Sequence, residues 1–154
     1  MKRIFMILLC CLLMTACMPQ PPAPATTPPT LETAVRFTLY TPNENADGFY
    51  EATVVIDALT AQNVVDALIA AQVLNADIVV NSERLEDSRL YLDFNAPFRD
   101  QLVRNGTAGE MMMIGSLVNS LLSAYGAASV MITVDGEIVE SGHVIYDFPL
   151  EFHE

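Results

Sequence analysis

His143 and His153 are the only histidines in the chain, and they stand ten residues apart near its end. Helical zinc ligands recur at i and i+4, and no cysteine is free to join these two. A histidine directly after Ser141-Gly142 is expected in an exposed turn. The run Asn43-Glu44-Asn45-Ala46-Asp47-Gly48 sets oxygen ligands at alternate positions before a glycine, as a calcium loop does. The twelfth position of such a loop needs a bidentate Glu, and here it is Val54. The flanks read as strands, so a polar hairpin loop is the expectation. Ser116 follows Gly115 but precedes Leu117 and Val118, which excludes a nucleophile elbow. Asp93, Asp135 and Glu137 could supply two carboxylates for hydrolysis, but no spacing rule singles out a pair. Gly106, Thr107 and Gly109 at a helix start could hold an anion on free amides. Met111-Met112-Met113 could be a soft or adaptable surface, though at helical spacing only one of the three points fully inward. The expectation is therefore no catalytic residue, no metal ligand and no cofactor site, and not an enzyme.

Most of these residues sit on or beside one helix, read over residues 107–125. Thr107 and Glu110 have the T-x-x-E spacing of a capping box, which would use two of the free amides. Met111, Ile114, Leu117, Val118, Leu121, Leu122 and Tyr125 recur at three- and four-residue intervals as one apolar stripe. Ser116, Asn119, Ser120 and Ser123 are expected on the opposite, solvated side. Gly126 is the expected stop, because glycine takes a left-handed turn without steric penalty. The β-branched run at 129–134 and Asp135-Gly136 then predict a strand and a tight turn.

The remaining elements follow from period and punctuation. Residues 35–40 alternate as a half-buried strand, and 49–56 form a second strand with Ala52, Val54 and Ile56 on one side. Residues 60–74 predict a helix with Val64, Val65, Leu68 and Ala71 inward and Asn75 as its stop. Residues 78–85 and 89–94 predict strands joined by a tight turn at Glu86-Asp87-Ser88. In the second, Leu90, Leu92 and Phe94 share a face, and Arg89, Tyr91 and Asp93 share the other. Residues 97–104 read as a short irregular or helical stretch, and 137–146 as a return arm. The order ββαββαββ predicts an α+β fold: a small, mostly antiparallel or mixed sheet with two helices on one face.

The first residues read as a targeting segment. Lys2 and Arg3 precede an apolar stretch over 4–14 that is short for a bilayer core of roughly 30 Å. Met14-Thr15-Ala16-Cys17 resembles the cleavage site of a bacterial lipoprotein. That likeness implies a signal peptide over 1–16, cut before Cys17, and acylation of Cys17, for example with palmitate. Cys10 and Cys11 would leave with the signal, so no internal disulfide can form. Two or more acyl chains suffice for stable membrane attachment. Residues 17–34 carry a proline-rich linker that cannot form helix or central strand. It predicts an extended spacer of about 3 Å per residue. Residues 35–150 are the size of one small domain, and 151–154 form a tail. Formal charge is −12, and loss of the two basic signal residues would take it to −14 with no lysine left. Such a surface repels nucleic acid and anionic headgroups, and makes a monomer in isolation the expectation.

The runs Leu90-Tyr91-Leu92-Asp93-Phe94-Asn95, 106–110, Leu117-Val118-Asn119-Ser120-Leu121 and 130–137, with Gly142-His143, resemble the GerMN domain. That domain is named after a spore germination and sporulation lipoprotein. The resemblance covers most of 35–150 and is most specific over the strand, helix, strand and Asp-Gly stretch. It implies a fold similar to ring-building modules of secretion and sporulation complexes, lipid anchoring or export, and no catalytic motif. It also implies that Asp135-Gly136 serves as the turn and that Leu117, Val118 and Leu121 serve as core. The leading expectation is a lipid-anchored, extracytoplasmic interaction or assembly module of the cell envelope, linked to sporulation or germination. A wall- or small-molecule-binding module is the alternative, with a pocket drawn from residues such as Tyr40, Tyr50 and Tyr91. A hydrolase comes third.

Overall fold

Alternating side chains at the start of the domain form β1 (Val35–Pro42), which pairs antiparallel with β2 (Phe49–Ile56) from Val35 opposite Ile56 to Pro42 opposite Phe49. The computed structural model describes residues 34–154. The signal peptide over 1–16, Cys17 and nearly all of the linker lie outside the described residues. Phe37 and Leu39 of β1 are buried, as period-2 alternation requires. The loop between the two strands is closed by its own polar groups. The Asn43 side chain donates to Asp47 Oδ1 at 2.8 Å and accepts the Asp47 amide at 3.2 Å. The calcium-like run is thus a hairpin loop that satisfies itself.

α1 (Ala61–Ala70) starts at Thr60, whose hydroxyl accepts the Asn63 amide at 3.1 Å. It ends four residues before the apolar spacing does. Gln72 takes a left-handed conformation, φ 61°, and the amides of Val73 and Gln72 bond back to Leu68 and Ile69. That double closure is a Schellman stop. Leu74 is buried without being helical, which explains why its spacing extends the predicted helix too far.

β3 (Val80–Glu86) and β4 (Arg89–Phe94) are antiparallel, joined through Asp87 and Ser88, both at positive φ as a type I′ hairpin demands. β3 starts two residues later than expected. The Asn95 side chain takes the Val79 amide and donates to the Asp77 carbonyl, holding that stretch out of the ladder. α2 (Ala96–Arg104) and α3 (Gly106–Tyr125) then lead to β5 (Ser129–Val134), which runs parallel to β4. A second turn at Asp135-Gly136 returns the chain as β6 (Glu137–Ile138). Further along the return arm, Leu150 exchanges two backbone bonds with Val130, both at 2.8 Å.

The α+β class with a mixed sheet holds, with two differences. Among the described residues the strands form two sheets, β1-β2 and β3-β4-β5-β6, not one. Among the described residues there are three helices, because the stretch before α3 is itself helical, with Phe98 stacked on Phe94 at 4.3 Å. The inner faces of β4 and β5, namely Leu90, Leu92, Phe94, Val130, Ile132 and Val134, are buried together with Leu117, Val118 and Leu121 of α3 and Val64, Val65 and Leu68 of α1.

α3 departs most from its sequence reading. Ser116, Asn119 and Ser120 are fully buried, so there is no solvated side over the middle of the helix. Ser120 and Ser123 face β1 instead. Their hydroxyls accept the amides of Tyr40 and Thr38 at 3.0 and 2.8 Å. A free strand edge would leave those amides unpaired, and the helix covers it. Met112 and Met113 are both buried, while Met111, expected in the stripe, is 45% exposed. The capping box is also absent. Asn105 keeps helical angles (φ −73°, ψ −16°) and no side chain caps the helix, so Thr107 is not at the boundary a capping hydroxyl needs. Gly126 ends the helix as expected, at φ 62°.

Candidate functional site

The return arm does not lie flat on α3. Between the two runs a cleft of about 280 Å³, walled by Met111, Ile114, Gly115, Val118, Phe148 and Leu150. Those walls are apolar; Thr107, Glu110, Tyr146, Glu151 and the two histidines supply the polar groups. Glu110 is 3% exposed. Its Oε1 accepts the Tyr146 hydroxyl at 2.5 Å and the Ser141 hydroxyl at 2.6 Å. Its Oε2 is buried with no hydrogen-bond partner among the described residues. Ser141 in turn accepts the amides of His143 and Val144, so one hydroxyl both shapes the arm's turn and holds the carboxylate. Burial pushes the Tyr146 phenol well above its ordinary range, and the neighbouring Glu110 acceptor adds to this.

The opposite end of the cleft is built on a glycine. A Cβ at Gly115 would stand 2.4 Å from the tip of the Phe49 ring and 3.2 Å from the His153 ring. Phe49 meets His153 edge to face at 6.1 Å, and Tyr40 meets Phe152 the same way at 5.5 Å. One turn along, the Asn119 side chain donates to the His153 carbonyl at 2.7 Å and accepts its amide at 2.8 Å. A buried amide side chain therefore ties down the last residues as a neighbouring strand would.

His143 and His153, ten residues apart in sequence, both line this cleft, and His143 is exposed in its turn as expected. Among the described residues, no three His, Cys, Asp or Glu side chains gather closely enough to hold a metal ion. Tyr40, Tyr50 and Tyr91 do not converge. Tyr40 packs on Phe152, Tyr50 is exposed, and Tyr91 lies under the Arg84 guanidinium, 4.2 Å from ring to cation. The residues that do converge, Glu110, Ser141 and Tyr146, were not legible as a set. Glu110 has the local spacing of a cap without filling that role, and its actual partners lie 31 and 36 residues away.

The carboxylates on the sheet form a clasp. Asp93 Oδ1 accepts the Thr133 hydroxyl and the Gly136 amide, both at 2.7 Å. Asn81, set at an irregularity in the β3 ladder, donates to Asp93 Oδ2, to the Phe94 carbonyl and to Asp135. Burial alone would raise the Asp93 pKa. The hydrogen bonds from Thr133, Asn81 and Gly136 outweigh it and hold the carboxyl below its usual range. Asp93 and Asp135 thus pin the β5–β6 turn, and Glu137 is not part of the cluster. Ser116 is buried inside α3, and its hydroxyl has no hydrogen-bond partner among the described residues.

The family model described as Germane, sporulation and spore germination, matches residues 38–140. Among solved structures, the first GerMN domain of the sporulation protein GerM from Bacillus subtilis superposes with a TM-score of 0.52 at 15% identity, over 77% of this chain and 96% of that one. A structure described as a "Putative Lipoprotein from Clostridium perfringens" gives 0.51 at 16% identity, over 77% of this chain and 87% of that one. At such identities the likeness shows a shared fold. No curated protein gives a significant match. Among the described residues, no helix is long and apolar enough to cross a membrane.

Proposed function

Because the chain belongs to the Germane family of sporulation and spore-germination domains, we propose that it is a lipid-anchored, extracytoplasmic interaction module that joins a protein assembly of the cell envelope. Cys17 carries the acyl chains, the proline-rich linker joins them to the domain, and the domain recruits a partner without catalysis. The observation that carries this reading is β2. It is eight residues long and pairs, among the described residues, only with β1. Tyr50 and Val55 on it are more than half exposed. An unshielded strand edge of that length is a template for strand addition by another chain.

The register tells which groups are on offer. Thr38 and Tyr40 send their amides to α3, so Thr38 opposite Thr53 and Tyr40 opposite Glu51 are the non-bonded pairs of the hairpin. The amides of Thr53 and Glu51 therefore point outward. Thr53→Pro removes one outward donor and leaves the β1–β2 ladder whole. In envelopes, a photoreactive residue at Val55 should capture a protein partner, and Thr53→Pro should lower that capture at least threefold with no change in the urea midpoint. Failure to capture any partner, or undiminished capture by the proline variant, would overturn the reading. The partner is expected to be basic, since identical copies at −14 after loss of the signal repel one another unless acidic groups meet an arginine such as Arg36 or Arg99.

A further inference from the structure

We infer that the cleft between α3 and the return arm seats one large apolar side chain carried on a basic segment of the partner, with lysines or arginines beside it meeting the carboxylates of the arm. The inference rests on the interaction-module reading and adds a side-chain-selective contact to its strand pairing. Two observations carry it. The first is an apolar slot with wet walls. Met111 on α3 and Phe148 on the arm both line the cleft, and each is 45% exposed. Ile114, Val118 and Leu150, all buried, complete the lining between them. Two large apolar groups that face water across a cleft gain by closing on a third, because removal of apolar surface from water drives most association. The second observation is local charge. Glu140, Asp147, Glu151 and Glu154 are all exposed along residues 140–154, and that stretch contains no Lys or Arg. Glu151 itself lines the cleft. An acidic border beside an apolar slot is complementary to a basic border beside an apolar anchor.

Size and charge also separate this occupant from its competitors. About 280 Å³ lies at the small end of the range for ligand pockets, which suits one side chain better than a drug-sized molecule. The chain's own linker over 17–34 has no Lys or Arg and carries Glu32, so it lacks the positive border. A second copy would bring one acidic arm against another and be repelled. A lipid chain fills an apolar slot without using the carboxylates at all.

The test uses the full lipidated chain in nanodiscs of zwitterionic phospholipid, with labelled methyl groups on Met111, Ile114 and Val118. It is titrated with three capped tripeptides: phenylalanine between lysines, alanine between lysines, and phenylalanine between glutamates. The first is expected to shift the three methyl signals together and to bind about tenfold or more tightly than the alanine peptide. It should also bind more tightly than the glutamate peptide, by a margin that shrinks as salt is added. Glu151→Lys alters an exposed side chain, so it should leave the urea midpoint in place and narrow that margin. Met111→Trp should fill the mouth, keep the midpoint and abolish the shifts at Ile114 and Val118. Equal binding of the phenylalanine and alanine peptides, equal binding with lysine and glutamate flanks at low salt, or no binding of any peptide would each overturn the assignment. So would cross-relaxation from those methyls, with no peptide present, to a second copy, to the linker prolines or to lipid chains. Such a failure is separable from failure of the module reading. Crosslinking through β2 would still capture a partner in the first case and would not in the second.

Discussion

Ser120→Ala tests whether α3 really covers the edge of β1. The hydroxyl is fully buried and accepts the Tyr40 amide at 3.0 Å. Alanine keeps the helix propensity and removes the acceptor, leaving a part-buried backbone donor with no partner. An unpaired buried amide costs about 1–3 kcal/mol. With a urea slope of about 1–3 kcal/mol per molar, a loss of about 2 kcal/mol lowers the midpoint by about 1 M. Ser123 is the internal control. It makes the same kind of bond to the Thr38 amide, but in an exposed setting where water can replace the hydroxyl. Ser123→Ala should therefore fall within about 0.5 kcal/mol of the parent. Urea melts followed by circular dichroism give both numbers, and amide exchange should quicken at Tyr40 in the Ser120 variant. Equal midpoints for the two variants, or a Ser120 variant as stable as the parent, would show that the helix hydroxyls do not secure β1.

Leu121 is fully buried in the same helix, and Leu121→Ala should destabilise by about 2–5 kcal/mol, read in the same melts. Asp93 has a folded pKa below its ordinary 3.8, so its contribution is fully present above that value and is lost as pH falls through the lower folded one. Asp93→Asn should therefore show a smaller fall in Tm than the parent between about pH 6 and pH 2.5, and an equal fall would refute the clasp. Cys17→Ala should leave the protein in the soluble fraction after cell disruption, and retention on membranes through a salt wash would refute lipid anchoring.

Features encoded by a few adjacent residues were legible in advance. Asp135-Gly136 and Gly126 take positive φ where their types ask for it, and Leu90, Leu92 and Phe94 share the inner face as alternation requires. Polar residues on α3 were misread for a physical reason. Ser116, Asn119 and Ser120 recur at the spacing of a solvated face, and a local window cannot distinguish water from the strand edge 80 residues away that uses Ser120 or from the His153 backbone that uses Asn119. Glu110 failed in the same way. Its spacing from Thr107 satisfies the rule for a cap, but α2 runs almost directly into α3 and leaves nothing to cap. The cleft followed the same pattern, since each wall comes from a different part of the chain and only the fold joins them.

The long reach of those serine bonds has a consequence in time. The β1–β2 hairpin closes through a short loop, and a hairpin of this kind forms within about 1–10 μs. The hydroxyls that secure its inner edge arrive from residues 80 and 85 positions further along. Contacts so distant in sequence form late, because the intervening chain must first lose its freedom. During that interval both edges of the hairpin are bare, and a neighbouring unfinished chain can pair with either. Maturation covers one edge and leaves the other open, so the strand proposed to recruit a partner is also where crowded, half-folded copies are most prone to aggregate.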